Sequence, residues 1–403
     1  MQSSRKQLPQ INWVTQAPRE AIAPHFERNE SSVSMIAANP LHTFGKWIGT
    51  LATPVQGTYQ ISIACDFAFD RGKILTFLTW RDASGKMISR DYLVQNPHAL
   101  FSITMERPEN AQSVDLELCL CSYGAGRARF HHLDIQIGET KPHRIVKVAA
   151  AYLPFAGERT LAKNLADILS VIDSAGTAAS KPDILCFTET AYDRRTCLPF
   201  QDKFIPEDAP VMAVIRERAR QYGMYLVFGI HENDNGRFFN TAYLISPLGE
   251  ILGKYRKTHI TLSEYEEGMM AGSEFPVFDT PIGRLGMMIC WDQWFPECAR
   301  MLHKQRPHIL FVQTAGDTDC QIRARAAETG AHVVVSGLIG IGSSKIINPY
   351  GEMIASNTNT ELGYVCADID IDKRYYQYWL SVGDANGEGK DIYLNERRSD
   401  LYS

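Results

Sequence analysis

The hydrophobic pattern of the chain changes once, near Pro142, and this change limits the folds that the sequence can adopt. Before it, short β-rich runs follow one another without helical periodicity between them. They lie at residues 59–67, 74–80, 87–94, 101–105, 114–122 and 127–137. The segment Asp82-Ala83-Ser84-Gly85 between two of these runs is typical of a hairpin turn. Residues 1–141 are therefore predicted to form an antiparallel β-sandwich, loosely of the jelly-roll type.

After Pro142, apolar strands alternate with amphipathic helices. The predicted strands are residues 145–152, 184–187, 225–230, 241–246, 286–290, 309–313 and 333–338, and helical spacing marks residues 161–172 and 211–222. Such alternation is typical of an α/β fold with buried strands. We predict that residues 142–403 form this second domain.

Composition excludes several classes of protein. A net charge of −5 over 403 residues argues against a nucleic-acid binder that works by neutralising phosphates. No apolar run approaches a membrane span, and the N-terminal residues have no signal-like core, so we expect no membrane partner. Nine cysteines, an odd number scattered through apolar runs, indicate reduced thiols and a cytoplasmic location. Without CxxC or metal-spaced histidines, no metal site is expected.

Cys290 is placed where a strand meets a helix. The apolar run up to Ile289 leads directly into Cys290, and Pro296 and Glu297 fit the first turn of the helix that follows. Backbone N–H groups at such a junction favour a thiolate, so we expect the pKa of this thiol to be lowered. The competing interpretation is a buried structural cysteine, which is what most free cysteines are.

Two further side chains occupy comparable positions. Glu189 directly follows a short apolar strand, at the edge of a sheet where α/β proteins place their sites. Lys257 lies in a basic segment, and Glu264 follows it by seven residues, where it can hold the lysine charged. Without further information, Glu189 and Glu264 are solvated acids and Lys257 belongs to a surface loop. Glu266 and Glu267 are rivals for the role of Glu264.

Four segments, in this order, resemble the nitrilase, or carbon–nitrogen hydrolase, superfamily. They are the strand ending in Glu189, Tyr255-Arg256-Lys257-Thr258-His259, Gly286 through Cys290-Trp291-Asp292, and Phe295-Pro296-Glu297 through Arg300. Asn348-Pro349-Tyr350-Gly351 and the C-terminal Glu396-Arg397-Arg398 resemble later parts of the same family, so the likeness spans about residues 144–403.

The resemblance implies a fold, a set of catalytic residues and an assembly. The fold is a four-layer αββα sandwich, here preceded by the N-terminal β-sandwich. Cys290 is the nucleophile, Glu189 the general base and Lys257 the oxyanion stabiliser, helped by the backbone N–H of Trp291, while Glu264 supports Lys257. The family uses no metal and no organic cofactor, and its members pair into homo-oligomers.

The implied activity is cleavage of a small-molecule amide or N-carbamoyl bond through a cysteine thioester. The motif from Cys290 to Glu297 is most similar to that of N-carbamoylputrescine amidases, but residues 261–272 depart from that subgroup. Alternatives are a nitrilase or an acyl transferase on the same triad, and a non-catalytic binding or scaffold protein on this fold. Asp292 favours amides, because nitrilases of the family more often have Glu there.

Overall fold

The computed structural model describes residues 11–38, 42–51, 56–96, 98–154, 156–316, 318–339, 343–357, 361–382, 386–398 and 401. The strands up to Pro142 are β1 (Asn12–Gln16), β2 (His25–Arg28), β3 (Ser32–Ala37), β4 (Thr43–Leu51), β5 (Thr58–Phe69), β6 (Gly72–Arg81), β7 (Met87–Tyr92), β8 (Val94–Gln95), β9 (Leu100–Glu106), β10 (Ser113–Ser122) and β11 (Gly126–Gly138). The six β-rich runs predicted from the sequence are confirmed as β5–β7 and β9–β11, whereas β1–β4 were not predicted.

The rest of the chain alternates strands and helices. The strands are β12 (Ile145–Pro154), β13 (Ile184–Cys186), β14 (Tyr225–Asp234), β15 (Arg237–Ile245), β16 (Ile251–Arg256), β17 (Val277–Thr280), β18 (Gly283–Ile289), β19 (Ile309–Gln313), β20 (His332–Ser336), β21 (Leu338–Ile339), β22 (Lys345–Ile347), β23 (Met353–Ser356), β24 (Gly363–Asp370), β25 (Tyr376–Tyr378) and β26 (Asn386–Glu388). The helices are α1 (Leu161–Thr177), α2 (Pro210–Tyr222), α3 (Leu262–Glu266), α4 (Pro296–His303), α5 (Asp319–Thr329) and α6 (Gly389–Asn395).

The chain forms two compact units, and their limits differ from the predicted domains at one end. The first unit comprises residues 1–142 together with 376–403, and the second comprises residues 143–375. The last segment groups with the first unit because β26 pairs with β7, and because Trp379 and Ile392 pack against Phe77 and Tyr92. Hydrophobic periodicity reports local structure only, so it could not assign this segment to a core formed by residues about 300 positions earlier.

The first unit is a β-sandwich. One sheet has the order β1-β4-β10-β6-β7-β26-β25 and the other β2-β3-β11-β5-β9-β8. Apart from the β26–β7 pair, the strand pairs of these sheets are antiparallel. The inner faces share one apolar core in which the rings of Tyr59 and Trp80 meet edge to face at 5.1 Å. Trp47 and Trp80 are both buried in this core.

The second unit is the predicted four-layer αββα sandwich. Its sheets have the orders β16-β15-β14-β13-β12-β21, with β24 also paired to β12, and β17-β18-β19-β20-β22-β23. Three apolar clusters separate the layers: α1 and α2 pack on the first sheet, the two sheets pack on each other, and α4 and α5 pack on the second sheet. Alternate residues of one strand serve different layers, since Leu185 faces the helices whereas Ile184 and Cys186 face the other sheet.

Candidate active site

Glu189 lies three residues beyond β13, and both of its carboxyl oxygens are held. The backbone N–H of Ala315 donates to Oε1 at 2.9 Å, and the side-chain amide of Asn240 donates to Oε2 at 3.1 Å. Gly229 of β14 lies against Thr188 and Glu189. A Cβ atom added at this glycine would come within 2.9 Å of the Thr188 carbonyl oxygen and 3.1 Å of Glu189 Cα. Glycine at this position therefore allows the carboxylate to sit directly against the sheet.

Cys290 begins a 3₁₀ helix, Cys290–Trp294, immediately after β18. Its φ of 42° lies in the left-handed region, which non-glycine residues adopt at a cost and which is common at functional sites. The side-chain amide of Gln293 donates to the Cys290 carbonyl oxygen at 2.9 Å and fixes this turn. Pro296 then opens α4, as predicted, so the sulfur stands at the junction of strand and helix.

The predicted lowering of the Cys290 pKa is wrong. Burial and the negative charge of Glu189 together raise the pKa of the thiol to about 12, against the opposing charge of Lys257. The nearby Glu189 carboxylate thus favours the protonated form of the thiol. The sequence predicted the strand–helix junction but could not reveal that an anion faces the sulfur there.

Lys257 follows β16 and is almost completely enclosed. Its Nζ lies 2.9 Å from both carboxyl oxygens of Glu264 and 3.8 Å from Oε2 of Glu189. Burial disfavours the charged amine, but the negative charges of Glu189 and Glu264 outweigh this effect and raise the pKa of Lys257 above its ordinary value. The lysine therefore carries a fixed positive charge beside the carboxylate and the sulfur.

Glu264 belongs to α3 and contacts Thr261 as well as Lys257. It forms a capping box with Thr261, whose N–H donates to Glu264 Oε2 at 2.6 Å. Burial favours the neutral acid, but Lys257 and the Thr261 N–H outweigh it, so the pKa of Glu264 is lowered. The rival acids Glu266 and Glu267 are both exposed.

Trp291 is the second residue of the 3₁₀ helix that Cys290 begins. The N–H groups in the first turn of a helix have no acceptor within the helix. The residue Trp291 is 38% exposed, and the centroid of its ring lies 5.5 Å from that of Trp294. The oxyanion role of the Trp291 N–H stays a prediction.

Asp292 was not predicted to have a role in the geometry of the site, yet it connects two of its segments. The carboxylate is fully buried and accepts from the N–H of Ile289 at 2.9 Å, the N–H of His259 at 2.9 Å and the hydroxyl of Tyr255 at 2.7 Å. Thr258 Oγ1 and His259 Nδ1 lie 3.0 Å from it. It therefore joins the turn that carries Cys290 to the segment that carries Lys257.

Asn240, on β15, is the second residue that the sequence analysis missed. Its side-chain nitrogen lies 3.1 Å from Glu189 and 3.3 Å from Glu264, and its carbonyl oxygen accepts from the Lys257 N–H at 2.9 Å. A polar residue at the start of a predicted buried strand was the available signal, because buried polar groups need partners.

Among the described residues, one group of three has the ligand atoms to hold a metal ion: His259, Asp292 and Cys298. The hydroxyl of Thr258 lies among them, at 3.2 Å from His259 Nδ1, 3.0 Å from Asp292 Oδ1 and 3.4 Å from Cys298 Sγ. These are hydrogen-bond distances to a central hydroxyl, whereas zinc ligands lie about 2.0–2.3 Å from the ion. The group is best described as a hydrogen-bonded cluster.

A family model described as carbon-nitrogen hydrolase matches residues 147–375, more than half of the chain. The chain belongs to the carbon–nitrogen hydrolase family. It is thus an enzyme of the nitrilase superfamily, as the sequence motifs predicted. The matched residues coincide closely with the second compact unit.

Curated relatives of this carbon–nitrogen hydrolase include several named activities. A probable nitrilase of Schizosaccharomyces pombe is 30% identical over 43% of this chain and 72% of its own length. The omega-amidase of Homo sapiens is 31% identical over 51% of this chain and 81% of its own length. The N-carbamoylputrescine amidase of Solanum tuberosum is 28% identical over 64% of this chain and 94% of its own length.

Solved structures share the fold at lower identity. The NitFhit protein of C. elegans has a TM-score of 0.53 and 23% identity, covering 65% of this chain and 67% of that one. A mutant amidase from Nesterenkonia sp. AN1 has a TM-score of 0.52 and 20% identity, covering 64% of this chain and 95% of that one. That structure shows covalent addition of the acetamide moiety of fluoroacetamide at its active-site cysteine.

Within the described parts of the chain, none of the helices has both the length and the apolar character needed to cross a membrane.

Proposed function

We propose that this enzyme hydrolyses an amide or N-carbamoyl bond of a small molecule through a thioester on Cys290. The observation that carries the proposal is the convergence of a thiol, a carboxylate and an ammonium group: the charges of Glu189 and Lys257 both act on the Cys290 thiol, and Lys257 lies 3.8 Å from the Glu189 carboxylate. Three residues distant in sequence thus share one enclosed polar site at the ends of β13, β16 and β18. The covalent adduct on the Nesterenkonia amidase supports a cysteine nucleophile on this fold.

The first half of the reaction forms the thioester. The resting thiol is neutral, because burial and the Glu189 carboxylate keep its pKa high. As the sulfur attacks the carbonyl carbon, its proton passes to Glu189, which acts as the general base. When the tetrahedral intermediate collapses, the C–N bond breaks and Glu189 returns this proton to the leaving nitrogen.

The second half releases the acid. Water attacks the thioester carbon and gives a proton to Glu189, and the C–S bond then breaks as that proton returns to sulfur. Both tetrahedral oxyanions are stabilised by the charge of Lys257 and by the N–H of Trp291. One such donor typically contributes about 3–4 kcal/mol to transition-state stabilisation. Glu264 keeps Lys257 charged and in place.

The substrate is proposed as a linear amide or a carbamoylated amine. Relatives of the enzyme are named as omega-amidases, an N-carbamoylputrescine amidase and a probable nitrilase. Their names agree on carbon–nitrogen chemistry but not on one compound. The sequence from Cys290 to Glu297 favours a carbamoyl group, and Asp292 favours amides over nitriles.

The test is turnover of a panel of acylated and carbamoylated amines and simple amides, followed by ammonia or amine release. Cys290→Ala is expected to lower kcat by about 10⁴-fold or more, because loss of one member of a cooperating triad costs nearly as much as loss of all. Cys366→Ala is the matched control, since Cys366 lies exposed on β24 and should leave the rate unchanged. Turnover by Cys290→Ala near the wild-type rate would remove the mechanism.

The proposal includes an assembly, a location and a domain role. We propose a cytoplasmic homo-oligomer, a dimer or larger, without nucleic-acid or membrane partners and without a metal or organic cofactor. The N-terminal β-sandwich is proposed to be an accessory domain.

A further inference from the structure

Asn240 is the residue that contacts most of the proposed machinery without having a chemical role assigned to it. It lies on β15, where its side chain is almost fully enclosed, with 2% of the residue exposed. Its side chain contacts Glu189 and Glu264, and its backbone carbonyl accepts from the N–H of Lys257. One residue is thus connected to both carboxylates and to the lysine between them.

The contacts fix the orientation of the Asn240 amide. An ionised carboxylate only accepts hydrogen bonds, so the NH₂ end of the amide must face Glu189 and Glu264. Its two hydrogens then match the two acceptors, at 3.1 Å and 3.3 Å. The opposite atom, Oδ1, is buried and has no hydrogen-bond partner among the described residues.

This arrangement resolves an electrostatic conflict in the site. Glu189 and Glu264 both approach the single ammonium group of Lys257, at 3.8 Å and 2.9 Å. Two carboxylates that share one cation repel each other, and such pairs tend to retain a proton on one member. A neutral amide that donates to both favours their charged forms without adding charge. It also prevents Glu189 from moving toward the lysine and away from the sulfur.

We propose that Asn240 is a positioning residue that keeps the Glu189 carboxylate directed at Cys290 and separates it from Glu264. This inference depends on the proposed function, because it assigns to Asn240 the control of the general base. Among the described residues, Asn240 has no hydrogen bond to the sulfur, so its effect is exerted through Glu189.

The test is the pH dependence of Cys290 alkylation by iodoacetamide, followed on the Cys290 peptide by mass spectrometry. Full-length wild-type protein, Asn240→Leu and Asn240→Asp are compared. Leucine preserves the volume of the side chain without its donors, and aspartate preserves its shape but adds a third negative charge. Asn233→Ala is the matched control, because Asn233 accepts from Gly236 in the β14–β15 hairpin and has no recorded contact with the triad. Circular dichroism verifies folding.

Alkylation of the wild type should fall on the acidic side of its pH profile, and the midpoint of that fall is the quantity compared. In Asn240→Leu this midpoint is expected to move upward by about one pH unit, because the charged carboxylate has lost a donor. In Asn240→Asp it is expected to move further in the same direction. The amide turnover of Asn240→Leu should fall about 10²-fold in kcat with little change in KM, as expected for a misplaced base.

The outcomes separate this inference from the proposed function. Midpoints equal to those of the wild type and of Asn233→Ala, in folded Asn240→Leu or Asn240→Asp protein, would overturn the role of Asn240 alone. Turnover that survives Cys290→Ala would instead overturn the proposed function. Should Asn240→Leu fail to fold, the near-isosteric Asn240→Asp decides the matter by itself.

Discussion

The Lys257–Glu264 pair gives a test at the scale of one residue. Glu264 accepts from Lys257 with both oxygens, whereas Glu266, two positions later, is exposed. Glu264→Gln keeps the size of the side chain but removes the charge that holds the ammonium group. We expect kcat/KM to fall about 10- to 100-fold, since the oxyanion stabiliser is displaced without being removed. Steady-state kinetics on the best amide measure this.

Glu266→Gln serves as the control for that change and should retain the wild-type kcat/KM. Equal losses in the two variants would contradict the assignment of Glu264.

The pH dependence of stability at this pair follows from the lowered pKa of Glu264. The pKa of Glu264 is lowered from 4.5, so its contribution to stability is present above that pH and is lost as the pH falls through the lower, folded-state pKa.

The high pKa of the Cys290 thiol also has a chemical consequence. A thiol with a pKa of about 12 is protonated at neutral pH, so in the proposed mechanism the nucleophile forms as Glu189 removes its proton. Such a site protects the sulfur from adventitious oxidation, because the thiolate is the reactive form. Activation by an adjacent base, rather than by a lowered pKa, is therefore the means available to this cysteine.

At the scale of elements, the site depends on a buried carboxylate that ties the end of β18 to the segment after β16. Asp292 accepts from Ile289 on one side and from Tyr255 and His259 on the other. In Asp292→Asn one oxygen is replaced by an NH₂ group that must face these donors. We expect the free energy of unfolding to fall by about 3 kcal/mol, as for other buried charged groups that lose their partners. Urea denaturation measures the change.

Asp279→Asn is the matched control for Asp292. Asp279 lies on β17 with its side chain 80% exposed and pairs only with Arg284 among the described ion pairs. Its loss should change stability by no more than about 0.5 kcal/mol. If both aspartates behaved alike, Asp292 would not connect the two segments.

At the scale of the whole molecule, the sequence predicted the α/β unit better than the limits of the domains. Apolar runs and helical spacing predicted β12, β13, β19 and α2 to within a few residues, because buried strands and amphipathic helices have local signatures. The C-terminal segment with β25 and β26 joins the β-sandwich through pairing with β7, a long-range contact without a local signature.

The candidate site shows the same division between local and long-range information. Glu189, Lys257, Glu264 and Cys290 stand at strand ends or in recognisable family motifs, so they were predicted from the sequence. Asn240 and Asp292 act through side-chain hydrogen bonds to partners that, apart from Ile289, are 24 to 51 positions away in the chain. The packing of the two sheets decides which donor or acceptor lies next to a buried polar residue. This long-range contact cannot be predicted from local patterns in a single sequence.

The central claim is that an acyl group passes through the sulfur of Cys290. The most direct measurement is peptide mass spectrometry of the full-length enzyme, mixed with the panel of acylated and carbamoylated amines and quenched in acid during turnover. We expect an adduct on the Cys290 peptide with the mass of the acyl half of the substrate. Steady turnover with an unmodified Cys290 peptide, or with the adduct on another cysteine, would contradict it.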